Sequence, residues 1–279
     1  MVYKSIVSVV TDLEIDRAAL DVAVAVARRN GGHLDVICLG IDRTQPGFYY
    51  AGANAVILQD NLAQAQEDAL RIEGEVKARL EGADVSWVTV AATTQITGLM
   101  PFLAHRTRFA DLVVLSKPYG KGRDHGNEAI TESVLFEAKV PVLVVPDDHE
   151  MPSAPNKVVV GWNESKEALR AIRDAMPFLT GAGSVNIAVI DPPQHGPDRS
   201  DPGGALSQML ARHGVKVEVS VLAKTMPRVS DVLARHIGDT GADLLVMGAY
   251  GHSRFRESIL GGATRNALEL SKVPILMAH

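Results

Sequence analysis

The sequence predicts an α/β protein of two doubly wound domains, each with a five-stranded parallel sheet, packed as an intramolecular pair. Three observations lead there. The chain repeats itself: "ADLVVLSKPYG" at 110–120 aligns with "ADLLVMGAYG" at 242–251, and "EAKVPVLVVP" at 137–146 with "LSKVPILMAH" at 270–279. Within each repeat, short β-branched apolar runs alternate with longer segments of helical period, the mark of βαβ units whose crossovers join parallel neighbours. Several of those runs are apolar throughout rather than alternating, as in strands covered by helices on both faces.

A repeat of about half the 279-residue chain is far longer than a solenoid unit and reads as duplication of a whole domain. The polar segment "DDHEMPSAPN" at 147–156 carries two prolines and suits a linker, which places the domains at 1–148 and 155–279.

The first repeat opens on "YKSIVSVV", a β-branched run, followed by a helix through "DRAALDVAVAVARR". The strand "HLDVICLG" leads through the loop "DRTQPGFYYAGA" to a long helical segment, "LAQAQEDALRIEGEVKARL". "VSWVTVAA", a helix around "LMPFLAHRTR", "DLVVLS", the helical "AITESVLFEA" and "PVLVVP" complete the order β-α-β-α-β-α-β-α-β. The second repeat opens on "KVVVGW" and follows the same order, except that its second helix is confined to "ALSQMLARHG" because "DPPQHGPDRSDPGG" at 191–204 is too rich in proline and glycine. Pro141 and Pro274 each stand at the first position of a last strand, where no ladder donor is needed.

Composition narrows the function classes. A net charge of -5 gives no global attraction for nucleic acid. Cys38, the single cysteine, lies in the apolar "LDVICLG" and reads as a buried small hydrophobe. The N-terminus reaches acidic residues too soon for a signal peptide, and no apolar run approaches a membrane span, so the expectation is a cytoplasmic protein that engages no membrane. The nine histidines form no H-E-x-x-H or Cys/His set, and no nucleophile elbow is present, so no metal site and no dedicated catalytic residues are expected.

The segment with most chemical content is "MGAYGHSRFRESILGGATR" at 247–265. Gly248 follows an apolar strand directly, and ligands of open α/β sheets bind beyond the carboxyl ends of strands. Gly261 and Gly262 precede the helix "ATRNALELS", whose N-terminus offers free N–H groups and partial positive charge to an anion. Between the glycines, His252, Ser253, Arg254 and Arg256 supply hydrogen-bond donors, or simply a solvated loop. The spacing is glycine, two residues, glycine, nine residues, glycine, glycine, which is neither G-x-G-x-x-G nor the Walker sequence. Asn163 and Ser165, in "GWNESKEAL", both suit the cap of the helix after the first strand of this repeat.

This spacing resembles the G-2x-G-9x-G-[ST] motif of the universal stress protein family, and the doubled α/β unit with "VVVGWNESKEALRAI" resembles that family's tandem form. The resemblance implies a Rossmann-like, adenine nucleotide alpha hydrolase-like fold, and a ligand that is ATP or a related adenine nucleotide, with or without Mg2+. It assigns ribose and phosphates to the backbone of Gly248, Gly251, Gly261 and Gly262, and the adenine to Asn163, flanked by Val189 or Ile190. Gly262 stands where the motif has Ser or Thr, leaving Thr264 and Arg265 to supply hydroxyl and charge. The first repeat has Ser116 for Gly248 and Asn127–Glu128–Ala129 near where the glycine pair would stand, so it is expected to be a structural partner.

The resulting expectation is a stress-response protein with one nucleotide site in the second repeat, acting as a sensor or switch. A nucleotide-free scaffold for a protein partner and a weak nucleotide hydrolase are the rivals. The resemblance also implies dimers, and the last strands of the two repeats are the candidate edges for a homodimer.

Overall fold

In a computed structural model of the chain, residues 2–43, 54–147, 149, 154–192, 201–249 and 262–279 are described. The chain divides into two compact units, one spanning Tyr3–Val140 and the other built on Pro141–His279.

In the first unit, β1 (Ser5–Val10), α1 (Leu13–Asn30), β2 (His33–Asp42), α2 (Asn54–Leu80), β3 (Ser86–Gln95), α3 (Leu99–Thr107), β4 (Leu112–Ser116) and α4 (His125–Glu132) follow one another as the sequence predicts. The strands lie in the order β3-β2-β1-β4, and each paired neighbour is parallel. α1 shows why these segments fold as they do. Asp12 caps it by accepting from the Glu14 N–H at 2.8 Å, and Gly31 ends it in the left-handed region. Between them Ala19, Leu20, Ala23, Val26 and Ala27 recur at helical spacing and are buried. α4 runs on into a π-helical stretch, Ser133–Ala138.

The second unit holds β5 (Val142–Val145), β6 (Lys157–Trp162), α5 (Lys166–Asp174), α6 (Met176–Leu179), β7 (Ser184–Ile190), α7 (Gly204–Arg212), β8 (Val217–Leu222), α8 (Val229–Thr240), β9 (Leu244–Gly248), α9 (Gly262–Leu270) and β10 (Ile275–Ala278). Its strand order is β5-β10-β9-β6-β7-β8. All pairs are parallel except β5 with β10. The core is the sheet itself: Val158, Val159, Val160, Leu244, Leu245, Val246, Ile275, Leu276 and Met277 are essentially inaccessible, and each fully buried side chain of this kind stabilises by about 1.5–3 kcal/mol.

Each repeat thus contributes five strands, but the units hold four and six. The polar linker marks where the sequence repeat turns over, whereas the contacts divide the chain at Pro141, one strand earlier. The physical reason is the antiparallel ladder that joins Val142 to Met277 and Val144 to Ile275. This corrects the use expected of the last strands. β10 lies between β5 and β9, so its backbone groups are engaged on both sides within the chain and it offers no edge to a second copy. Among the described residues no helix is long and apolar enough to cross a membrane.

Candidate functional site

The strand order of the second unit creates one place where successive connections leave the sheet in opposite directions. β6 and β9 are neighbours, with Gly161 beside Met247. The chain leaving β6 proceeds to β7 on one side, and the chain leaving β9 proceeds to β10 on the other. In an open α/β sheet such a switch point opens a crevice beyond the carboxyl ends of the strands. Trp162 pairs with Val189 at the end of β7, so Asn163, Val189, Ile190 and Gly248 come together at this corner.

Each of these residues has a distinct environment. Asn163 is exposed, and its Oδ1 accepts the Ser165 N–H at 3.2 Å. Ser165 is the N-cap of α5, its Oγ accepting the Ala168 N–H at 3.1 Å. Both cap candidates in the sequence are therefore used, and the Nδ2 of Asn163 still points no hydrogen bond at another described residue. The turn between them places Glu164 at φ 60°, a left-handed conformation that tightens the entry to α5. Val189 is buried and Ile190 half-buried at the end of β7.

Gly248 has a packing reason to be glycine. A Cβ there would lie 2.5 Å from the Ala168 backbone N and 2.8 Å from the Glu167 carbonyl carbon, so β9 passes the first turn of α5 at backbone distance. On α9, Gly262 is exposed and a Cβ would meet nothing within 4 Å among the described residues. α9 is the crossover between the parallel strands β9 and β10, which puts its N-terminus on the same side of the sheet as the carboxyl ends of those strands. Thr264 is buried on the inner side of α9 rather than exposed at its entrance, and Arg265 is held by Glu269 at 2.8 Å along the helix. Gly251, His252, Ser253 and Gly261 lie outside the described residues. Among the described residues no three His, Cys, Asp or Glu side chains converge as a metal set.

The equivalent corner of the first unit is built differently. Ser116 stands at the end of β4, where Gly248 ends β9, and donates its Oγ hydrogen bond to Asp16 on α1. The other carboxylate oxygen of Asp16 accepts from the Thr11 N–H at 2.8 Å, the Asp12 N–H at 3.2 Å and the Thr11 hydroxyl at 3.2 Å. Asp16 is 3% exposed, and burial raises its pKa above the ordinary 3.8 although the Ser116 and backbone hydrogen bonds oppose the shift. The N-terminus of α4 is capped from within: Asp124 accepts from the Gly126 N–H at 2.8 Å and Asn127 Oδ1 accepts from the Asp124 N–H at 3.0 Å, while Arg43 pairs with Asp124 at 2.9 Å. The α4 N-terminus is thus capped by side chains of its own repeat, and the buried Asp16 carboxyl lies beside the end of β4.

Sequence reasoning singled out Ser116 but missed its partner. The signal was present, because Asp16 falls on the same helical stripe as Ala19, Leu20 and Ala23, where a carboxylate is out of pattern.

Residues 155–279 match the family model described as the universal stress protein family. The chain is 24% identical to a universal stress protein of Synechocystis sp. over 91% of its own length and 92% of that relative. A universal stress protein structure from Archaeoglobus fulgidus DSM 4304 matches 99% of this chain and 97% of that one with a TM-score of 0.70 at 16% identity, a likeness of fold.

Proposed function

Because residues 155–279 belong to the universal stress protein family, we propose that the second unit binds an adenine nucleotide, ATP with or without Mg2+, as a regulatory sensor or switch in a stress response. The observation that carries this reading is the switch point between β6 and β9, with Gly248 at its edge and the α9 N-terminus on the same side of the sheet. The residues present fit the group. Asn163 offers an exposed carboxamide for the adenine edge, with Nδ2 as donor and the second lone pair of Oδ1 as acceptor. A Cβ at Gly262 would meet nothing within 4 Å among the described residues, which suits close approach by an anion. Thr264 is buried and Arg265 is paired with Glu269, so the backbone, not these side chains, would hold the phosphates. The bound nucleotide would supply charge at the carboxyl end of the sheet rather than a bond to be broken.

A nucleotide-free scaffold is the second reading, and Gly248 favours it, since packing against α5 accounts for that glycine without a ligand. One experiment separates the two. Mass spectrometry of small molecules released from freshly purified, denatured protein, followed by calorimetric titration with Mg-ATP, is expected to find adenine nucleotide or micromolar binding that disappears in Gly261→Val. Absence of both retained nucleotide and heat at saturating ATP would remove the nucleotide reading and leave the scaffold.

A further inference from the structure

We infer that the second unit carries another ligand site, for a neutral, mainly apolar molecule of one or two rings bearing a single hydroxyl or carbonyl group. At the opposite end of β9 from Gly248, helices α8 and α9 leave a cavity of about 330 Å³. Its walls are apolar, with Leu233 and Ile237 from α8, Leu245 from β9 and Val273 after α9. The space exists because the residues that could fill it, Ala234, Gly238 and Ala267, have almost no side chain. Dry apolar cavities about half this size, roughly 150 Å³, hold one benzene ring, which sets the size of the occupant.

The polar lining sets its chemistry. Ser230 is 3% exposed and its Oγ has no hydrogen-bond partner among the described residues. A buried hydroxyl without a partner is destabilising, and a ligand hydroxyl or carbonyl at that point would relieve it. The hydroxyl of the other lining serine, Ser271, already donates to the Val273 carbonyl at 2.7 Å. Among the described lining residues Lys272 is the one that carries charge, and it is exposed, so no buried charge there stands ready to neutralise a charged ligand. A single neutral hydrogen-bonding group on an apolar body satisfies the site.

The test uses 1-naphthol and naphthalene with the full-length protein, binding being followed by ligand-observed NMR. Both probes are expected to bind, at a site that saturating Mg-ATP leaves unaffected. Ser230→Ala should weaken 1-naphthol about fivefold and leave naphthalene unchanged, the size of one hydrogen bond. Ala234→Leu should abolish binding of both. Gly238→Leu repeats that test at a position where an added Cβ meets nothing within 4 Å and the helix is not strained. Failure of the wild-type protein to bind either probe, binding that survives both leucine variants, or equal 1-naphthol affinity in Ser230→Ala would overturn the inference.

Discussion

One position, occupied by Gly248 in one repeat and Ser116 in the other, determines how each strand end packs beside its switch point. With glycine, the strand end and the first turn of α5 meet backbone to backbone. With serine, the place is taken by a hydroxyl that needs an acceptor, and Asp16 provides it from α1. Asp16 is the sixth residue after Val10, as Ala168 is the sixth after Trp162, so the two repeats use the same pair of positions for different chemistry. The Asp16 carboxyl also makes a prediction at this scale. Its folded pKa is raised by burial, so the folded state binds the proton more tightly than the unfolded chain does. The stability advantage of wild type over Asp16→Asn is therefore expected to be largest in acid and to narrow as pH rises above 3.8. Urea melts of both proteins at several pH values would check it, and a gap that widens with pH would contradict it.

Among the elements, α5 connects stability to the candidate site. It is short, Lys166–Asp174, and depends on its cap: Ser165 holds the Ala168 N–H while Asn163 holds that of Ser165. Ser165→Ala should lower stability by about 1 kcal/mol, visible as a shift of the urea midpoint. A drop no larger than that of an exposed control substitution in α2 would mean that Asn163 suffices as the cap. The contrast between α2 and α7 follows from local chemistry. α2 spans 27 residues where α7 spans 9, and the proline- and glycine-rich stretch before α7 makes a longer helix untenable. That difference was legible in the sequence, as were the strands, because apolar runs and breakers act over a few residues.

For the whole molecule, the decisive feature is the β5–β10 ladder. Val142, Leu143, Val144 and Val145 are all buried, so removing β5 forfeits several kcal/mol and bares one side of β10. A fragment beginning at Pro141 is accordingly expected to be more stable in urea than one beginning at 155, and to remain monomeric by light scattering where the shorter one associates. Equal midpoints and equal masses would show that β5 adds nothing to the second unit. The same ladder explains why the contacts divide the chain one strand earlier than the repeat does. Sequence identity follows descent from a duplicated domain, while contacts follow which edge is nearest.

The sequence by itself determined the α/β class, the duplication, the element order and the glycine segment, since each rests on periodicity, breakers or spacing within a short stretch of chain. The tertiary structure alone decided that β10 is enclosed by β5, that Gly248 answers to α5, that Asp16 pairs with Ser116, and that Ser230 faces a cavity. These pairings join residues tens to more than a hundred positions apart. Such separations leave no local pattern in the chain, because only folding brings the partners within a few ångströms of each other.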